Sequence, residues 1–130
     1  MPIIQFSERD ILRGKVVEPA WYVVSIDNVG EEPSKNGDST NFPVEGTIIR
    51  NADNGDEEFK NVPLDWMFNS KRVSFASSFL SSLGVDVKAG PRYELASAVG
   101  KQIEMFIEND TYNGRLLNRV NHKYRPVSGK

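Results

Sequence analysis

No cysteine occurs in the 130 residues, so disulfide staples, thiol nucleophiles and thiolate-held zinc are excluded by inventory. An intracellular setting fits such a chain best. Histidine occurs once, as His122, which leaves a nucleophile–base–orienter set without its usual base. On a strand, a lone histidine is expected to be packed or superficial rather than a ligand. Long apolar runs are missing as well: nothing approaches the roughly 20 apolar residues that cross a bilayer. The opening MPIIQFSERD lacks the basic patch and apolar core of a secretory leader. The expectation is a protein that is neither secreted nor membrane-spanning.

Nucleotide fingerprints are absent too. There is no GxxxxGK[ST] loop and no GxGxxG after a strand, so nothing supports a nucleotide-hydrolysing or dinucleotide-binding fold. The acids of DNGDEE (53–58) surround a glycine, but they lack the alternate-position ligand spacing and closing glutamate of a calcium loop. A turn is the better reading. No catalytic residue, metal or cofactor is therefore expected, and a metal-dependent nuclease would need carboxylates converging from several elements.

What the chain does have is enough apolar material, 38%, for one modest core at a length typical of one domain. Its net charge of −2 conceals an asymmetry. Residues 1–65 carry 6 Lys/Arg against 13 Asp/Glu, whereas residues 101–130 carry 6 against 3. From Arg115 onward there is no acid, so the last strand and tail are locally basic.

Periodicity supplies the elements. VVEPAWYVVSID (16–27) reads as a strand with Tyr22, Val24 and Ile26 on one face and Trp21, Val23 and Ser25 on the other. The polar stretch 28–41 reads as a flexible loop. A second strand follows at 42–50, where Gly46 predicts a bulge or close backbone approach. Asn54-Gly55 predicts a hairpin turn into a third strand, EEFKNVPLD (57–65). Spacing of Val73, Ala76, Leu80 and Leu83 predicts a helix over 71–84, capped by Asn69 or Ser70 and closed at Gly84. A short helical turn is expected at 93–99. KQIEMFIEN and RLLNRVNHKY then alternate as strands around Asn113-Gly114, a type I′ signal. The result is mostly β: an OB-like five-stranded barrel with one main α-helix between strands 3 and 4. A single domain is expected, with its core at about 15–126 and a tail at 127–130.

Basic residues interleaved with aromatics on such a barrel suit sequence-tolerant binding of single strands, because cations follow phosphates and exposed rings stack on bases. The candidate cations are Lys35, Arg50, Lys101, Arg115, Arg119 and Lys123, within a wider set that adds Lys60, Lys71, Arg72 and Arg125. The candidate stacking rings are Trp21, Phe106, Tyr112 and Tyr124. Phe106 interrupts a polar face, and Tyr112 adjoins the turn of a basic hairpin. Phe59 is a weaker candidate, and Trp66 is expected to fill the core.

In order and spacing, the segments PAWYVVSI, SKNG (34–37), VEGTIIR, SSLGV, GKQIEMFI and YNGRLLNRVNHKYRP resemble phage single-stranded DNA-binding proteins encoded beside replication and recombination genes. The last segment carries most of it, through Tyr112, Gly114, Arg115, Asn118 and Val120. The resemblance implies an OB-like fold, no enzymatic activity and protection of single-stranded DNA in the cytoplasm of an infected host cell. It also implies phage replication proteins as further partners; apart from the resemblance, a chain of this size is expected to fold by itself or as a small oligomer such as a homodimer. Many such proteins end in an acidic tail, whereas this sequence ends HKYRPVSGK. Partner recruitment is then expected to work differently, or through a tail outside this sequence. The competing reading is a non-enzymatic β-barrel adaptor or virion structural protein whose basic hairpin meets a partner's acidic surface.

Overall fold

Alternation decides the first strand, β1 (Ala20–Val29). Tyr22, Val24 and Ile26 enter the apolar core, and Trp21 and Ser25 stay partly exposed on the opposite face. The computed structural model describes residues 3–13, 15–35 and 37–127. Asn36 of the SKNG segment and residues 128–130 of the expected tail lie outside them. Six strands form one antiparallel sheet: β1, β2 (Glu32–Pro33), β3 (Thr40–Asn51), β4 (Pro63–Asn69), β5 (Gln102–Tyr112) and β6 (Arg115–Arg125). Helix α1 (Glu8–Arg13) precedes the sheet, and α2 (Val73–Ser82) and a 3₁₀ turn (Leu95–Ala98) separate β4 from β5.

β1 is central, pairing with β3 on one edge and β5 on the other. β3 spends its length twice, meeting β1 through residues 44–51 and β4 through residues 41–47. Gly46 stands where these pairings overlap. A Cβ there would lie 2.8 Å from Val24 Cγ1 and 3.0 Å from both the Ser25 carbonyl and the Trp66 ring, so the close approach expected from sequence is real. β5 and β6 form the closing hairpin, turning at Asn113 (φ 51°) and Gly114 (φ 77°). Left-handed φ at both positions is what a type I′ turn requires.

β4 and β6 touch, but no ladder joins them, so the sheet is not closed. Two devices span the gap. At one end Arg13, Lys15 and Val17 act as a strap: Arg13 pairs with Asp65 on β4, and Asn118 on β6 bonds the Lys15 and Val17 backbone. At the other end, Phe79 of α2 packs against Trp66 and Phe68 of β4 and Tyr124 of β6, with centroids 6.5, 5.0 and 5.3 Å apart. Burying such side chains, each worth roughly 1.5–3 kcal/mol, makes α2 part of the core.

Several expectations needed correction. The third strand starts at Pro63 rather than 57, because residues 58–61 turn and Asn61 takes φ 73°. Asn54-Gly55 therefore lies within a longer connection instead of closing a two-residue hairpin. The stretch 28–41 is not an open loop: it contains the end of β1 and β2, with Ser34 donating its N–H to Ser39 O at 2.9 Å. Neither Asn69 nor Ser70 caps α2. Asn69 Oδ1 accepts from Lys71 N, and Ser70 Oγ accepts from Thr40 N. The C-terminus behaves as expected, with Gly84 at φ 91° and Gly84 N and Val85 N donating to Ser81 O and Leu80 O, a Schellman closure.

Candidate nucleic-acid interface

The period of two that sends Tyr22 and Met105 inward turns Trp21 and Phe106 outward, and the two stand opposite each other in the β1–β5 register. Their rings meet edge to face, 5.7 Å apart at 67°, a preferred arrangement for aromatic quadrupoles. Two cations lie on this pair. The Arg125 guanidinium is 4.2 Å from the Trp21 centroid, and Lys123 Nζ is 5.4 Å from that of Phe106, both within cation–π range.

Lys123 reaches Phe106 because β6 bulges. Met105 pairs with Tyr124 and Ile107 with Val120, so residues 121–123 stand opposite Phe106 alone. His122 makes the bend at φ 54°, a conformation that histidine tolerates better than most non-glycine residues. Its ring stacks on Phe75 at 4.3 Å and 13°, and Nδ1 lies 2.9 Å from Tyr124 Oη. Burial, with a smaller contribution from Arg119, holds the imidazole pKa below its ordinary value.

A second row crosses four strands: Arg50, Val23, Glu104 and Arg125 are register neighbours on β3, β1, β5 and β6. Val23 is 1% exposed yet lies outside the core cluster, being covered on this outer face. Glu104 is buried as well, and Arg125 Nε donates to its carboxylate while Nη2 donates to Asp53 at 2.8 Å. Its hydrogen bonds to Glu104 and Asp53 raise the Arg125 pKa further. Arg125 is thus a clamp between two acids and the Trp21 ring.

The other expected residues are dispersed. Arg50 is half-buried in that row. Lys101 is exposed just ahead of β5, and Lys35 is exposed in the β2–β3 connection. Tyr112 and Arg115 are exposed register partners at the hairpin tip, roughly 20 Å along β5 from Phe106. Arg119 is exposed but paired with Asp110 at 2.8 Å. Lys60 and Lys71 are likewise engaged, by Glu57 and Asp38. Phe59 packs on Tyr22, and Trp66 is buried as expected. Tyr124 is a correction: it points inward against Phe68 and Phe79, and burial pushes its hydroxyl pKa well up, so it is no stacking platform. The reading from sequence also missed Glu104 and Asp53. Glu104 sits two residues from Phe106 on the same alternation, which was the available signal.

Among the described residues, no group of three or more His, Cys, Asp or Glu is arranged to hold a metal ion. No helix among them is long and apolar enough to cross a membrane. No protein-family model matches the chain, and a search of curated proteins finds no significant match.

Proposed function

We propose that this chain binds single-stranded DNA with little sequence preference, through the outer face of β1, β5 and β6. The observation that carries this reading is the Trp21–Phe106 pair with Lys123 and Arg125 lying on its rings. An outward aromatic pair flanked by cations offers a base a flat surface and its phosphate a counter-charge, which is how sequence-tolerant binders work. Because Arg125 is already matched by Glu104 and Asp53, phosphate contact falls to Lys123 and Arg50, with Arg115, Lys101 and Lys35 further along the surface. The setting is the one the family resemblance implies, phage replication or recombination, without a catalytic step.

With this goes an OB-like reading of the fold. In its support, leaving β2 aside, β1 pairs with the second and fourth strands, the second with the third and the fourth with the fifth, while α2 lies between the third and fourth. The barrel would be left open between β4 and β6.

The test is fluorescence anisotropy of a labelled oligothymidine titrated at low and moderate salt, with a duplex of equal length as control. Tight, salt-sensitive binding to the single strand and much weaker binding to the duplex is the expected result. Absence of binding at low salt would overturn the proposal. One observation favours the adaptor reading instead: Tyr112, Leu116, Leu117 and Met67 are exposed near the hairpin tip at 68%, 53%, 45% and 45%, a surface suited to a protein partner.

A further inference from the structure

His122 carries the only imidazole of the chain, and it stands in a strained place. Its φ of 54° is left-handed, a conformation that costs a residue with a Cβ and lasts only where the surroundings hold it. Two contacts do the holding. The ring stacks on Phe75 of α2 at 4.3 Å and 13°, and Nδ1 lies 2.9 Å from Tyr124 Oη. Phe68 of β4 closes a further side, its ring centroid 5.6 Å away.

Burial keeps the Tyr124 hydroxyl protonated, so Tyr124 donates this hydrogen bond and Nδ1 accepts it. That assignment puts the ring proton on Nε2 and requires a neutral imidazole. An imidazolium carries protons on both nitrogens and accepts nothing, which takes from the buried Tyr124 proton its acceptor. The charges around the ring do not offset this. Helix α2, VSFASSFLSS, brings none, and Arg119 of β6 repels a second cation. Asp65 of β4 and Asp110 of β5 share a cleft with His122 and Tyr112, but their carboxylates are already paired with Arg13 and Arg119.

What the bend positions is Lys123. Residues 121–123 stand opposite Phe106 alone, and Lys123 Nζ sits 5.4 Å from its ring centroid. We infer that His122 is the positioning residue of the outer aromatic pair and works as a proton-operated latch: the neutral imidazole holds the bulge that lays Lys123 on Phe106, and the imidazolium releases it. Without the Tyr124 bond the strained backbone relaxes, the bulge is redrawn and Lys123 leaves the ring. The consequence, a weaker grip on phosphate in mild acid, rests on the nucleic-acid reading, whereas the coupling of His122 to Lys123 does not. Its sign is distinctive. A protein that gains positive charge ordinarily holds an anion more tightly, so binding that weakens as the pH falls marks a lost contact.

The experiment has two arms on the full chain, from about pH 7.5 down to about pH 5, within the range where circular dichroism shows the fold intact. In the first, NMR follows the imidazole protons of His122 and the ε-methylene of Lys123, which the ring current of Phe106 displaces. The Lys123 resonance is expected to move toward its solvent-exposed position with the same midpoint as His122. In His122→Asn, which tolerates the left-handed bend and takes up no proton, it is expected to stay in place. In the second arm, anisotropy of a labelled oligothymidine at fixed salt is expected to show wild-type affinity falling by roughly threefold or more over the same range. His122→Asn and Lys123→Ala are expected to show no such fall. A Lys123 resonance that ignores the imidazole titration overturns the inference, and so does wild-type affinity that stays level or rises toward acid pH. Lys123 moving with His122 in a chain that binds no oligothymidine upholds the latch and overturns the nucleic-acid reading alone.

Discussion

Asn118 holds Val17 across the sheet gap: its Oδ1 accepts the Val17 N–H at 2.8 Å, while its Nδ2 donates to the Lys15 carbonyl at 2.9 Å. One side-chain amide thereby satisfies a donor and an acceptor of the strap, as a neighbouring strand would. Asn109 adds a bond to Val17 O at 2.9 Å. Removing both bonds with Asn118→Ala is expected to destabilise the fold by about 1–3 kcal/mol. Asn118→Asp, which keeps the acceptor, should cost less. Urea denaturation of the two variants against wild type checks the order.

Trp21→Ala and Phe106→Ala are each expected to weaken oligothymidine binding by about 1–3 kcal/mol while leaving the fold intact. The double variant should lose less than the sum, because the rings touch and either substitution disturbs the other's position. Anisotropy titration of the three variants at one fixed salt concentration measures this.

Arg125→Met removes a partner of the buried Glu104 carboxylate. The expected loss of stability is about 1–3 kcal/mol, below that of a fully buried pair because the Arg125 side chain is 36% exposed and solvent screens it. Adding Glu104→Gln should recover much of that loss. Equal midpoints for Arg125→Met and wild type in thermal melts would show the contact to be energetically idle.

His122 offers a pH test with a definite sign. Burial lowers its folded-state pKa, so as pH falls through the unfolded value near ~6.5, the unfolded chain takes up a proton that the native state resists. Stability is full above that pH and declines toward the depressed folded value. No other histidine is present, so the window of roughly pH 5.5–7 reports on this residue. His122→Asn, which also tolerates φ 54°, should flatten the decline in urea midpoint.

Gly46→Ala places a methyl group 2.8 Å from Val24 Cγ1 and 3.0 Å from the Ser25 carbonyl. Overpacking against backbone is expected to cost about 1–3 kcal/mol, read as a lower midpoint in thermal denaturation.

Much of this architecture was legible in the chain because its strands are half-buried. Strict alternation sorted Tyr22, Val24 and Ile26 from Trp21, Val23 and Ser25 and did the same along β5, and Asn113-Gly114 marked the hairpin. The helix announced itself through spacing and Gly84. What stayed hidden depends on contacts between distant residues or on irregular backbone. The β6 bulge needs a left-handed residue, and His122 gives no signal for one as glycine would. The bulge redirects Lys123, and Tyr124 is drawn inward by Phe68 and Phe79. Glu104 and Asp53 became visible as clamps on Arg125 only once three separate segments lay side by side. The late start of β4 follows from the positive φ of Asn61 just before Pro63.

The strap also imposes an order on synthesis. Val17 leaves the ribosome 101 residues before Asn118, an interval of roughly 5–20 s at ordinary elongation rates. During that interval β1, β3, β4 and α2 can assemble, while the strand that holds Lys15 and Val17 does not yet exist. The Lys15 and Val17 end of the strap is thus fastened later than its Arg13 end, which has Asp65 of β4 to meet, and a nascent chain stopped short of β6 has no Asn118 with which to complete it.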